Sequence, residues 1–181
     1  KWSFDTATYV LHVADNTSLY TDNYAVVITE NHPFTIEFGK NCLIQSNYGH
    51  AIWQHTSSQD LTLQGQSAKL IGLNSSAVSS NDDGHVTIAM DSLYAEGGYW
   101  GIYSRDLNVI SSGVRAKGGS GAIGSFVDFE NCYAVESSSV KVINKEITDG
   151  QGEYAKDVSI VKGAQPWNIR INVDLITPAN A

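Results

Sequence analysis

Positive charge is scarce in this sequence. Its 181 residues include 11 lysines and arginines against 19 aspartates and glutamates, which gives a net charge of −8. Nucleic-acid binding needs clustered cations that contact phosphates, so the composition argues against DNA or RNA as a partner. It also argues against strongly anionic polysaccharides as ligands, unless a metal ion intervenes.

Long apolar runs are missing as well. No stretch of about 18 or more apolar residues occurs, so the sequence predicts no membrane-spanning segment. No window keeps a helical period for the length of a helix. The length suits one domain with one continuous core. No targeting segment is found at Lys1, and an exported protein loses such a segment during export.

Cysteine is limited to Cys42 and Cys132. Two thiols in a chain of this length do not form a disulfide framework. The repeat described next predicts that they lie in corresponding strands about four coils apart, roughly 19 Å at ~4.8 Å per coil. A disulfide requires Cα atoms within ~7 Å, so we predict two unpaired structural thiols.

A small residue followed by a β-branched residue recurs along the chain. The pairs are Ala25-Val26, Ala51-Ile52, Ala77-Val78, Gly101-Ile102 and Ala122-Ile123, with Val140-Lys141 as the expected start of a sixth coil. The first five pairs are 26, 26, 24 and 21 residues apart. Periods of this length are typical of solenoids and arrays.

Each repeat contains three short strands with alternating apolar residues. In the first strand we expect a buried column of Val26, Ile52, Val78, Ile102 and Ile123, followed two residues on by Ile28, Gln54, Ser80, Ser104 and Ser125. The second strands are predicted to begin near Phe34, Leu61, Val86, Leu107 and Val127. The third strands are predicted to centre near Leu43, Leu70, Leu93, Val114 and Tyr133.

The pattern predicts an all-β, single-stranded parallel β-helix of about five to six coils. Parallel strands usually need helical crossovers, but a coil of three short strands needs none. An antiparallel sandwich is the alternative fold. We expect one domain, with an N-terminal cap at residues 1–24, coils at 25–145, and an irregular coil or cap at 146–181.

Several phrases of the chain resemble the repeats of secreted or surface β-helix proteins of anaerobic, often gut, bacteria. These phrases are Trp2-Ser-Phe-Asp5, Ala51-Ile52, Asp60-Leu-Thr-Leu63, His85-Val-Thr-Ile88, Gly101-Ile-Tyr103, Asp106-Leu-Asn-Val109 and Ala116-Lys-Gly-Gly-Ser-Gly-Ala-Ile-Gly124. The resemblance covers roughly residues 2–135. It implies a right-handed, pectin-lyase-like β-helix in an extracellular or cell-surface setting, with carbohydrate binding or adhesion as the expected role. It carries no catalytic motif.

The outward positions of the first strand suggest a binding face. Sugar rings present apolar C–H faces that pack on aromatic rings, while imidazole, amide and guanidinium groups supply hydrogen bonds. The candidate carbohydrate-binding residues are Trp53, His55, Asn81, Tyr103 and Arg105. In the alternative interpretation, Trp53 and Tyr103 pack beneath neighbouring loops and only cover the sheet.

Acidic residues give a weaker signal for a calcium site. Asp82 and Asp83, with Asp60 and Asp106 nearby in the repeat, offer carboxylate oxygens of the kind that Ca²⁺ prefers. The same Asn-Asp-Asp-Gly phrase is an ordinary turn. The histidines lack the spacing of a zinc site, so no other cofactor is expected.

Three functions remain open from the sequence. The first is a non-catalytic extracellular module that binds carbohydrate or mediates adhesion. The second is a Ca²⁺-dependent polysaccharide lyase or a glycoside hydrolase, which rests on analogy of fold alone. The third is a structural spacer in a larger surface protein. The lack of a catalytic motif favours the first over an enzyme.

Overall fold

The computed structural model describes residues 1–55, 59–80, 84–104, 106–110 and 113–124, and beyond these the backbone of five strands. Every regular element in this part of the chain is a β-strand. In chain order the strands are β1 (Trp2–Asp5), β2 (Val10–Val13), β3 (Ser18–Thr21), β4 (Val26–Ile28), β5 (Phe34–Phe38), β6 (Cys42–Ser46), β7 (Ile52–Gln54), β8 (Asp60–Gly72), β9 (Val78–Ser80), β10 (His85–Gly97), β11 (Trp100–Tyr103), β12 (Asp106–Val109), β13 (Gly113–Gly118), β14 (Gly121–Gly124), β15 (Asn131–Ala134), β16 (Ser138–Thr148), β17 (Gly152–Lys162), β18 (Trp167–Asn168) and β19 (Thr177–Pro178).

Successive coils pair in parallel on each side of the stack. On the second-strand side β2, β5, β8, β10, β12 and β15 follow one another. On the third-strand side the order is β3, β6, β8, β10 and β13. The first strands β4, β7, β9, β11 and β14 form a separate five-stranded sheet, the first-strand sheet. The chain is therefore an all-β parallel solenoid as predicted, and the alternative antiparallel sandwich is wrong.

The buried column of the first-strand sheet is confirmed. Register pairs join, in order, Val26, Ile52, Val78, Ile102 and Ile123. The last four of these side chains are buried in the core. A parallel stack places equivalent residues above one another, so β-branched side chains of similar shape fill the interior coil after coil.

The second-strand column is confirmed for four coils and then departs from the prediction. Phe34, Leu61, Val86 and Leu107 are paired in register. The next residue in this column is Cys132, through the pairing of β15 with β12. The prediction that Val127 continues the column is therefore wrong. Cys132 also lies in a different column from Cys42, which is a buried free thiol on the third-strand side.

The third-strand prediction is wrong in three coils: the register is wrong by one or two residues in two of them, and Tyr133, predicted to be a third-strand centre, lies on the second-strand side, where it pairs with Asn108. Leu43 pairs with Lys69 and faces outward. The buried columns are instead Cys42 with Ala68, Leu93 and Val114, and Ile44 with Leu70, Ala95 and Ala116. The run Cys42-Leu-Ile44 is apolar at every position, so alternation alone does not identify its inward face.

An antiparallel strand covers the beginning of the stack. β1 pairs with β2, which brings Trp2 beside Val13 and Phe4 beside Leu11. The Phe4 ring stacks on the Phe34 ring at 5.6 Å, and it shields core side chains of the first coil from water. Parallel pairing already begins at β2, within the segment assigned to the N-terminal cap.

The parallel stack contains about four turns, fewer than the five to six expected. After β13 the neighbouring strand is β17, which runs antiparallel to it. β16 and β17 form a long antiparallel hairpin. The pair Val140-Lys141 therefore lies in this hairpin and does not open a sixth coil. The handedness of the winding stays a prediction.

Candidate functional site

The outward side chains of the first-strand sheet form a column next to the buried one. Register pairs join, in order, Val27, Trp53, Ser79, Tyr103 and Gly124. This is the column in which the sequence predicts a binding face. Neighbouring members are roughly 4.8 Å apart along the axis, so Trp53 and Tyr103 are separated by two coils.

Trp53 lies at the centre of a group of aromatic rings. Its ring stacks on the Tyr24 ring at a centroid distance of 4.5 Å and an interplanar angle of 25°. The rings of His50 and His55 lie 5.7 Å and 4.2 Å from it. Tyr24 keeps 45% of its surface exposed, while Trp53 and His50 are half-buried and His55 is exposed. We call these four residues the aromatic cluster.

A glycine at the corner allows the rings to approach. Tyr24 and His50 each lie two residues before a member of the buried column, Val26 and Ile52 respectively. A Cβ atom on Gly49 would overlap the backbone and the ring of Tyr24. The small residue therefore permits Tyr24 to lie against the next coil and reach Trp53.

His50 is held in one orientation and one tautomer. The backbone N–H of Ser76 donates to its Nδ1 at 3.2 Å, and the Ser75 Oγ lies 3.0 Å from the same atom. Because Nδ1 accepts, the ring proton is on Nε2. Burial lowers the pKa of His50 below its usual range. The side chain is therefore a neutral imidazole with an Nε2–H donor at neutral pH.

Tyr103 is in the predicted column, but it offers almost no surface. It is only 5% exposed, and its ring lies 6.1 Å from the Trp100 ring. The Trp100 ring in turn covers Gly121 and Gly124, where an added Cβ would overlap it. Tyr103 therefore packs within the wall of the solenoid and is not part of the site. The contact that the structure shows is with the Trp100 ring rather than with the loops of the alternative interpretation.

Four of the predicted site residues lie outside the described part of the chain. These are Asn81 and Arg105 of the proposed carbohydrate face, and Asp82 and Asp83 of the proposed calcium site. The structure brings together Trp53 and His55 from the remaining predicted residues.

The other two predicted aspartates are not neighbours in the strand register. Asp60 pairs in register with His85, which pairs with Asp106. Asp60 and Asp106 therefore lie two coils apart on the second-strand side. Within the described residues, no group of three or more histidine, cysteine or acidic side chains is arranged to hold a metal ion.

Besides Tyr24 and His50 of the aromatic cluster, sequence analysis missed two surface features. The first is a pair of exposed tyrosines, Tyr48 and Tyr99, in the corner between the third and first strands. The aromatic residue next to glycine in Asn47-Tyr-Gly49 was a usable signal, because a turn exposes it. The second feature is Tyr94, whose ring carries the Lys69 ammonium at 5.1 Å and the Arg115 guanidinium at 5.9 Å.

Glu96 accepts two hydrogen bonds beside the Tyr94 ring. The Tyr94 hydroxyl donates to Glu96 at 2.8 Å, and Lys117 pairs with the same carboxylate at 3.2 Å. The pair of Glu96 with Lys117 joins adjacent coils on the third-strand side. Partly exposed ion pairs of this kind contribute little to stability.

Comparison with known proteins does not extend this picture. In the described residues, no helix is both long enough and apolar enough to cross a membrane. No family model matches the sequence, and neither the curated proteins nor the solved structures contain a match. The resemblance to bacterial β-helix repeats therefore stays a prediction, and the function is argued from the aromatic cluster.

Proposed function

We propose that this protein is a non-catalytic, extracellular carbohydrate-binding module that holds its ligand on the aromatic cluster. The observation that carries the proposal is the stack of Tyr24 on Trp53, partly exposed on the outer face of a rigid sheet. Adhesion to a glycan-bearing surface is the role that such binding serves.

The cluster combines the two kinds of group that sugar recognition requires. Tyr24, which is 45% exposed and whose ring stacks on Trp53, provides an apolar platform for the C–H face of a pyranose. The neutral His50 supplies an Nε2–H donor whose orientation is fixed by Ser76. Because both rings and imidazole are held before binding, little side-chain entropy is lost when the sugar arrives.

The net charge of the protein also limits which classes of glycan fit the proposal. A chain with a net charge of −8 repels polyanions over the range of the ionic screening length. The proposed ligand is therefore a neutral or cationic glycan rather than a sulfated or uronate-rich one.

The test is a glycan array with the purified protein, followed by calorimetric titration of the best ligand. Trp53→Ala and Tyr24→Ala should each weaken binding by about tenfold or more, as expected for central aromatic contacts. Tyr20→Ala is the matched control, since Tyr20 is 64% exposed but lies on the third-strand side. Circular dichroism and thermal unfolding verify that each variant is folded.

Two outcomes would contradict the proposal. One is the absence of binding to any glycan on the array. The other is binding that Trp53→Ala and Tyr24→Ala leave unchanged.

A lyase or hydrolase remains a prediction from fold analogy, since its candidate residues Asp82 and Asp83 lie outside the described residues. If the protein is only a structural spacer, it should bind no glycan on the array.

A further inference from the structure

Exposed apolar side chains are concentrated on one edge of the solenoid. Nine large apolar residues are exposed in the described part of the chain. Five of them lie in the first-strand sheet or in the corner that leads into it: Tyr24, Val27, Tyr48, Leu73 and Tyr99. We call these five residues the apolar strip, and a grouping of exposed apolar side chains is a feature of contact sites.

Hydrogen bonds join successive layers of the corner that carries this strip. The backbone N–H of Asn74 donates to the carbonyl of Asn47 at 3.2 Å, and that of Leu73 to Ser46 at 2.9 Å. One coil later, Gly98 donates in the same way to Gly72 at 2.8 Å, but the N–H of Tyr99 donates to Ser75 at 3.1 Å, because this turn is one residue shorter. The turns are therefore stacked in layers along the axis.

Tyr48 and Tyr99 occupy this corner two layers apart. They are 71% and 58% exposed, and the layer between them carries Leu73 and Asn74. Two layers correspond to roughly 9.6 Å along the axis. The corner thus presents two exposed aromatic side chains in layers two apart, with one apolar and one amide side chain in the layer between them.

The intervening amides are fixed by hydrogen bonds of their own. The Nδ2 of Asn74 donates to the carbonyl of Asn47 at 2.8 Å, and the Nδ2 of Asn47 donates to Asp22 at 2.8 Å. With its Nδ2 engaged, the exposed Asn74 offers its Oδ1 as an acceptor. A sugar hydroxyl between the two tyrosines is the donor that suits this position.

A β-1,4-linked pyranose chain matches this spacing. Such a chain is a flat, extended ribbon that advances by about one coil height per sugar. Successive rings turn opposite faces to the same side, so alternate sugars present equivalent faces. Platforms two coils apart therefore meet alternate sugars of one ribbon. An α-1,4-linked chain curves into a helix and does not keep alternate rings on a straight line.

We propose that the ligand is a neutral, extended β-1,4-linked polysaccharide that lies along the solenoid axis, with alternate sugars on Tyr48 and Tyr99. This inference rests on the proposed function and names the ligand class of that same face. The aromatic cluster lies beside the Tyr48 end of the corner, where the Tyr24 and His50 rings are 5.6 Å apart. The net charge of −8 favours an uncharged chain.

The experiment is a calorimetric titration with oligosaccharides of two to six sugars. Cello- and chito-oligosaccharides supply the β-1,4 series, and malto-oligosaccharides supply the α-1,4 series. Affinity should rise with length in the β-1,4 series until both tyrosines are engaged, and should stay weak in the α-1,4 series. Tyr99→Ala should remove the gain in affinity that longer β-1,4 oligosaccharides show, which is about threefold to tenfold for one aromatic contact. The affinity for disaccharides should stay within about twofold of the wild-type value. Tyr20→Ala should change neither.

The outcomes separate this inference from the proposed function. Equal binding of the α-1,4 series, or an unchanged length dependence in Tyr99→Ala, overturns the ligand class. Trp53-dependent binding of some other glycan on the array, with no binding of β-1,4 oligosaccharides, also overturns the ligand class but leaves the proposed function standing. Failure to bind any glycan contradicts both the ligand class and the proposed function.

Discussion

The hydroxyl of Ser80 donates a 2.8 Å hydrogen bond to Oε1 of Gln54, one coil earlier, inside the wound core. The amide of Gln54 donates in turn to the carbonyl of Gln59 at 2.6 Å. Both side chains are buried. These two members of the predicted polar row are thus hydrogen-bonded to each other across one coil, which is the condition for keeping polar atoms in a core.

Removing the Ser80 hydroxyl should destabilise the fold. Ser80→Ala leaves the buried Oε1 of Gln54 without this donor, which costs about 1–3 kcal/mol. Chemical denaturation measures the loss as a lower free energy of unfolding. The double variant Gln54→Leu/Ser80→Ala removes both polar partners and should recover part of the loss. A Ser80→Ala variant as stable as the wild type contradicts the role of this hydrogen bond.

Gly124 should be required by the ring of Trp100. A Cβ atom at Gly124 would overlap that ring, so Gly124→Ala must displace it at a cost of about 1–3 kcal/mol. The control is Gly113→Ala, because the nearest atom to a Cβ there is the Asp91 carbonyl oxygen at 4.0 Å. The Trp100 indole N–H signal in NMR spectra should shift in Gly124→Ala and not in Gly113→Ala. Equal effects of the two substitutions would contradict this account.

His50 should make the fold sensitive to mild acid. The ordinary pKa of a histidine is 6.5, and burial lowers the pKa of His50 below that value in the folded state. As the pH falls, the unfolded chain therefore takes up a proton before the folded chain does. Stability is therefore full above about pH 6.5 and declines below it, until the folded-state pKa is passed. Unfolding curves between pH 8 and pH 4.5 measure this slope.

The matched variant for this titration is His50→Asn. It does not titrate, and it retains a side-chain acceptor for the Ser76 N–H. The decline below pH 6.5 should be smaller in His50→Asn than in the wild type. Identical slopes in the two proteins would show that other groups cause the acid sensitivity.

Tyr94 should hold down the pKa of Glu96. Burial raises the pKa of this carboxyl, but hydrogen bonds from Tyr94 and Lys117 outweigh it and lower the pKa overall. Tyr94→Phe removes one donor, so the pKa of Glu96 should rise. A ¹³C NMR titration of the glutamate carboxyls measures it, with Tyr20→Phe as a control, since Tyr20 lies in the same column as Glu96 three coils earlier.

The lowered pKa of Glu96 also determines the direction in which stability changes with pH. A carboxyl with a lowered pKa stabilises the fold above its unfolded value of 4.5, and the contribution is lost as the pH falls. Tyr94→Phe should therefore be less stable than the wild type near neutral pH, with the difference shrinking in acid. A difference that grows in acid would contradict this assignment.

The sequence predicted what depends on strict periodicity. The column from Val26 to Ile123 follows from small-apolar pairs at the start of each coil, since the pleat dictates which neighbours are buried. Leu43 was misplaced because its neighbours are apolar on both sides. Val140 was misplaced because the direction of a strand depends on its distant partner, here β17.

In the candidate site too, local periodicity predicted some residues, while others depend on contacts between distant parts of the chain. Trp53 and His55 were predicted because they alternate with buried residues of one strand. The burial of Tyr103 depends on the Trp100 ring and on glycines one coil later, which no local pattern encodes. Tyr24 and His50 were missed, although both lie at the same offset before the buried column, and that recurrence is visible in the sequence.

β8 and β10 are each 13 residues long and lie in register over their length. A coil of this kind is an interchangeable module. Adding one between the layers of Tyr48 and Tyr99 would lengthen the solenoid by about 4.8 Å and leave its neighbours intact. If the proposed β-1,4-linked ligand binds there, the two tyrosines would then contact opposite faces of the ribbon. Under that proposal, the parity of the number of coils between them would determine whether both contact the same face of the ligand.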